Sequence, residues 1–330
     1  MDLKNRKGLK DQAQKLVDRC DNQPRKLTWI NSAVYLGLSL VISLITLALN
    51  HGIAGTGGLS GIQTRNILQT IQSMLNLVYT IAQPFWLVGL AYVYMQTVRK
   101  QMPQTQSLLR GFHRFGPVLR LNLLKWALLF MVAFPCAFIS SYAGMMLSPK
   151  MYTLFEPLAL EMQQNPNADI YAMMAQIPVK ELLGATWPML ILFTVMYLGA
   201  VIFFAYRFQF ADYLILDDPK LGAIQALKNS FHMTKGIFKD LVMLDLSFLW
   251  YHALQAFATL FAFADLFLTY SGISLPISQD VASIISFCIY AALVLAMDYT
   301  IRPRVEATYA LVYDRRRNQI YFPYTLDENS

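Results

Sequence analysis

Six stretches of the chain are almost free of charge and strongly apolar: roughly 28–50, 70–97, 121–147, 184–206, 241–268 and 279–301. A bilayer core is crossed by about 20 helical residues at about 1.5 Å rise each, so every one of them is long enough to span. Pro84, Pro135 and Pro188 fall inside three of these stretches. Neighbouring helices can support a freed carbonyl, so these prolines predict kinks rather than breaks. The pattern predicts an all-α fold: a polytopic membrane bundle of six transmembrane helices.

Between the fourth and fifth stretches the pattern changes to a helical amphipathic one. Asp218 reads as an N-cap, Pro219 as the first helical residue and Gly236 as the left-handed residue after the helix end. Leu221, Ile224, Leu227 and Phe231 recur at helical spacing, with Lys220, Lys228, His232 and Lys235 on the other faces. Such a helix lies in the membrane interface, where each basic residue gains about 1 kcal/mol from anionic headgroups. A weaker copy runs from about 104 to 116, with Leu108, Leu109, Phe112 and Phe115 apolar, Arg110, His113 and Arg114 polar, and Gly116-Pro117 as a stop. An offset of 119 residues superposes Phe112-His113 on Phe231-His232, Leu108 on Leu227, Arg120 on Lys239 and Tyr94 on Tyr213. Two interfacial helices in equivalent settings point to a parallel internal repeat about an axis near the membrane normal.

Composition agrees with the pattern. At 56% hydrophobic and 14% charged residues, with a mean hydropathy of +0.39, the chain has too little polar surface for a soluble domain of its length. Of its 27 Lys and Arg residues, all but Arg65, Lys150 and Lys180 fall on one side of the expected spans. The positive-inside rule makes that side cytoplasmic and places both termini there, as expected of a multi-pass protein of the cell membrane. The expected organisation is a basic amphipathic cytoplasmic arm (1–27), a six-span domain (28–314) and a cytoplasmic tail (315–330). The net charge of +7 then serves topology and attraction to anionic lipid. The basic residues form no aromatic-interleaved stripe, so no nucleic-acid partner is expected. The polar first 27 residues lead into no short apolar core with a cleavage site, so the first span reads as a retained anchor. Cys20, Cys136 and Cys288 are scattered and suit neither a disulfide framework nor a metal site, and the last two read as buried packing.

Ionisable residues in lipid are costly, and they are the first candidates for function. Lys125, Arg207, Asp212, Asp245 and Asp298 lie near the inner ends of four spans, as a candidate polar layer under the interfacial helices. Such a layer either holds an anionic headgroup, gates a solute path, or pairs helices. His252 and Gln255 could share a helix face in the fifth span. The four histidines are scattered, and no metal or cofactor is implied. Gly52 to Gly61 is glycine-rich but lacks the Lys-Ser/Thr end of a phosphate loop, so it reads as a turn. The segment 149–182 predicts one or two short helices outside the membrane. No nucleophile–base pair or paired carboxylates stand at usable spacing, so no enzyme is expected.

The stretch 212–250 resembles the signature region of a bacterial family of multi-pass membrane proteins catalogued as domain of unknown function nine-seven-five. The matching positions are Ile215, Leu216, Asp217 and Pro219, then Ser230, Met233, Lys235 and Gly236, then Leu246, Ser247, Phe248 and Trp250. Thr234 separates Met233 from Lys235-Gly236, and Leu249 precedes Trp250 where the family often has a small residue. A family-like aromatic ending is represented by Tyr299, Tyr309 and Tyr313, with the proline-tyrosine pair Pro323-Tyr324 further on. The resemblance implies an integral membrane protein without an assigned activity. The residues themselves suggest a non-enzymatic protein that engages membrane lipids or assists a partner protein. The alternative is a transporter of a small solute or lipid built on the repeat.

Overall fold

The computed structural model describes residues 5–54, 59–165, 179–264 and 278–321, and among them helix is the sole regular structure. In chain order the helices are α1 (Arg6–Arg19), α2 (Gln23–Ala54), α3 (Leu59–Val98), α4 (Thr105–Leu108), α5 (Arg110–His113), α6 (Phe115–Leu147) and α7 (Pro149–Gln164). They continue as α8 (Val179–Phe208), α9 (Ala211–Asp217), α10 (Ala223–Thr234), α11 (Phe238–Leu246), α12 (Leu249–Ala262), α13 (Gln279–Thr300) and α14 (Arg302–Tyr321). Five stretches are long and apolar enough to cross a bilayer: Gln23–Ala48, Asn66–Val98, Phe115–Leu147, Gly184–Asp217 and Val281–Thr300. The pair α11 and α12 brings the number to as many as six. This is the all-α membrane bundle that the hydropathy predicts. Pro84, Pro135 and Pro188 lie within α3, α6 and α8 without ending them.

Several local expectations are corrected. The fifth span is not one continuous helix, because α11 and α12 meet at an angle of 61° across Ser247 and Phe248. The helix expected at the membrane interface begins at Ala223 after Gly222, not at Asp218. Asp218 instead turns its carboxylate onto the Lys220 amide at 2.9 Å and closes a tight turn around Pro219. Gly236 does follow the helix end in the left-handed region, at φ +85°. The earlier copy is two single-turn helices, α4 and α5, rather than one helix. Gly116-Pro117 is no stop: α6 starts at Phe115, and Pro117 sits in its first turn, where a backbone N–H has no helical partner to lose. Cys288 is exposed rather than buried, whereas Cys136 is buried, and all three cysteines are free. Helix α14 carries the chain on to Tyr321, through the first part of the expected tail. Residues 55–58 of the glycine-rich stretch, residues 166–178 and Pro323-Tyr324 lie outside the described residues. Helix α7 supplies one of the short helices expected in 149–182.

The chain forms two compact units, one from residues up to Asn122 joined with those from Phe208 onward, the other from Leu123–Arg207. In the first, α14 packs along α3 and α1 lies along α14. Leu9, Ala13, Leu16 and Val17 form one stripe of α1 and are all buried, so the amphipathic arm is docked rather than free. Asp21 and Asn22 make the turn into α2 at φ 48° and 57°, a conformation their short polar side chains tolerate. In the second unit, a Cβ added at Gly144 of α6 would stand 2.5 Å from the Met189 Cβ of α8, so the small residue permits the close approach. Phe130, Phe134 and Phe138 recur every fourth residue along α6 and are exposed, as a face turned to acyl chains would be.

Helices α4 and α5 are laid onto α3 through two glycines. A Cβ at Gly89 would stand 1.9 Å from the Leu108 carbonyl oxygen, and one at Gly111 would stand 2.1 Å from that of Phe85. Both obstacles are backbone atoms and cannot rotate away. Gly89→Ala and Gly111→Ala should each destabilise the protein by about 1–3 kcal/mol or more. Gly199→Ala, facing open space, should leave the thermal midpoint in detergent unchanged.

Candidate functional site

Asp217 ends α9 beside the ends of α3 and α14. Arg99, one residue past α3, binds it with two parallel bonds, Nη1 to Oδ1 at 2.7 Å and Nη2 to Oδ2 at 3.0 Å. The Arg99 Nε–H donates to Asp314 at 2.9 Å. From α14, Arg317 Nε reaches Asp217 Oδ2 at 2.7 Å and the Tyr313 hydroxyl donates to the same oxygen at 3.0 Å. The hydrogen bond to Asp217 outweighs burial and holds the Arg99 guanidinium above its ordinary pKa. Burial, then the Asp217 charge, pushes the Tyr313 phenol up, so it remains a donor. Close by, Arg114 donates to the Ile215 carbonyl at 3.0 Å and caps the end of α9.

A second polar group sits at the break in the fifth span. The bend leaves the Ser247 carbonyl without a helical partner, and Lys10 of α1 donates to it at 2.6 Å while lying 4.1 Å from the centroid of the Phe248 ring. Burial, then the charges of Arg304 and Arg6, lowers the Lys10 pKa. Asp245 accepts from the Tyr309 hydroxyl and lies 3.1 Å from His252 Nε2. Gln255 turns to Tyr251 at 2.7 Å instead of to His252, so the two do not act as a pair.

The third group lines a cavity of about 300 Å³ within the first unit, walled by α2, α3, α12, α13 and the start of α14. Asp298, 2% exposed, accepts from Ser32 and from Arg302 Nη1, the latter at 2.9 Å. Arg302 also pairs with Glu306 at 3.2 Å. Asn31 and Trp86 add polar atoms to the wall, and Tyr35 and Tyr290 add rings. Among the described residues, no cluster of His, Cys, Asp or Glu could hold a metal ion.

The polar layer read from the sequence thus divides. Asp245 and Asp298 belong to different groups, and Asp212 is half-buried in the first turn of α9. Lys125 and Arg207 are half-buried in the second unit, where the Arg207 guanidinium lies 5.3 Å from the Phe203 ring. On the first amphipathic segment Arg110 lies over Tyr92 at 5.4 Å, and His113 Nδ1 is 2.9 Å from the Leu109 carbonyl. On α10, Lys228, His232 and Lys235 are exposed. Its buried face is Ala226, Leu227, Ser230 and Met233, while Ile224 (73% exposed) and Phe231 (40%) lie on the same side of the helix as Lys228 and Lys235. Of the motif residues, Ser230 is buried and accepts from the Phe210 amide at 3.2 Å, Ser247 marks the break, and Pro219 and Trp250 are exposed. The sequence pattern does not single out Arg99, Asp314 or Arg317, nor Tyr313 as a partner of Asp217. The available signal is an arginine directly after one span and an aspartate at the end of another.

These features define a polytopic α-helical membrane protein whose polar groups gather at helix ends. The chain belongs to the family described as Protein of unknown function (DUF975), whose model matches residues 3–317. No curated protein and no solved structure matches it.

Asp217→Asn removes one charge from between two guanidinium groups. We expect a loss on the order of 3 kcal/mol in folding stability, read as a lower thermal midpoint, because Arg99 and Arg317 would keep their charges with half the compensation. A midpoint equal to that of the wild type would mean that the network is dispensable for stability.

Proposed function

We propose that this is a non-enzymatic protein of the cell membrane that engages anionic lipid headgroups on its cytoplasmic face. The observation that carries this reading is the outer face of α10, where exposed Ile224 and Phe231 sit among Lys228 and Lys235. Apolar side chains that enter the acyl boundary beside ammonium groups that meet phosphates are the two components of interfacial attachment. The distribution of Lys and Arg supports cytoplasmic termini. A partner protein that the membrane-bound form assists is compatible with the same face.

Purification in detergent at increasing salt, with quantification of retained phospholipid, tests the reading. Anionic lipid should stay bound at low salt and leave as salt rises. The double variant Lys228→Gln/Lys235→Gln should retain it about tenfold less well. Equal retention of anionic and zwitterionic lipid at every salt concentration would defeat the proposal.

A second reading, transport of a small solute or lipid, is favoured by the polar cavity and by the bend in the adjoining span. Broken helices and repeats about a membrane axis are transporter devices, and here the first amphipathic segment folds back onto α3 while the second packs on α9. It predicts that Gln83→Cys and Thr259→Cys, both on the cavity wall, react with a membrane-impermeant thiol reagent added to either side of sealed vesicles. Labelling from one side alone removes this reading.

A further inference from the structure

The cavity carries hydrogen-bonding capacity that the fold does not use. Asn31 is 4% exposed, and its Oδ1 has no hydrogen-bond partner in the protein. The Trp86 Nε1–H is buried and equally unpartnered. Both residues line the same cavity, one offering an acceptor and the other a donor. Buried polar groups left unpaired cost stability, so such a pair on one wall calls for an explanation. The full charges on the wall do not supply one. Arg302 lies between Asp298 at 2.9 Å and Glu306 at 3.2 Å, and Ser32 donates to Asp298, so these ions already satisfy each other. What remains open is neutral. Tyr35, Trp86 and Tyr290 add aromatic faces, and the volume is at the lower end of small-molecule sites.

We infer that this cavity binds a small uncharged polyhydroxyl group, supplied either as a free polyol or as the sugar headgroup of a glycolipid. One hydroxyl donates to Asn31 Oδ1 and one accepts from Trp86 Nε1–H, while the ring faces cover the C–H surfaces. A hydroxyl can both donate and accept, which suits an orphan acceptor and an orphan donor together. The inference does not depend on the attachment of α10 to anionic lipid, nor on a path through the protein.

Equilibrium dialysis of the full chain in detergent with radiolabelled myo-inositol and glucose tests the free source, with choline and acetate as charged comparators. Nanodiscs containing monoglucosyl diacylglycerol against phosphatidylcholine test the lipid source. The expected result is saturable binding of a polyol, or selective retention of the glycolipid, with neither ion competing. Asn31→Leu and Trp86→Phe should each weaken that binding about fivefold or more, one hydrogen bond's worth. Asn31→Leu should at the same time raise the thermal midpoint, since it removes a buried unpartnered acceptor. Trp86→Phe keeps a ring and removes the N–H, so the outcome does not depend on a single variant folding. Absence of saturable binding in both arms, tighter binding of choline or acetate, or affinities unchanged in both variants would overturn the inference.

Discussion

The Asp217 carboxylate is the point on which the first unit turns. It ends one helix and is held by Arg99 beyond a second and by Arg317 and Tyr313 of a third, so one side chain fixes how α9, α3 and α14 meet. The attraction is strong because the group is largely withdrawn from water, and for the same reason it must be complete. Apolar membrane helices have little to distinguish one packing from another, since lipid is as apolar as leucine. A bidentate arginine does distinguish them. It ties a given helix end to a given partner at a fixed orientation.

The same rule of compensation explains the docked arm. A bend in a membrane helix exposes carbonyls that lipid cannot satisfy. Here the fifth span bends at Ser247, and the ammonium of Lys10 fills that place while Leu9, Ala13 and Val17 seat its helix on the body. The N-terminal segment is therefore part of the bundle's hydrogen-bond network as well as a carrier of positive charge. Glycine has the complementary role, since α4 and α5 reach α3 only because Gly89 and Gly111 present no side chain to a backbone carbonyl.

Two features of the fold stand apart from its helix-to-helix anchors. The outer face of α10 keeps apolar and basic side chains together away from its packing stripe. The cavity keeps a neutral donor and acceptor beside a self-compensated ion pair. The first is the face proposed to meet anionic lipid, and the second is the place proposed to hold a small neutral group. They make separate demands on chemistry and can be tested separately.

The membrane bundle and its approximate spans were legible along the chain, because apolar length is a one-dimensional property that a bilayer reads directly. So was the left-handed glycine at 236, which local backbone sterics decide. Which face of α10 is buried was not legible, since Leu221, Ile224, Leu227 and Phe231 make as good a helical stripe as Ala226, Leu227, Ser230 and Met233. Packing against α9 and α14 chose the second. Nor does the linear order join Arg99 to Asp217, or Asn31 to Trp86, because residues distant along the chain become neighbours only when helices cross. The acidic residues near the span ends could be recognised as costly from their positions alone. That Asp245 stands beside a bend and Asp298 on the wall of a cavity, while Asp217, outside that set, ties three helices together, came from the packing of the helices, which sets where each charge finds its partner.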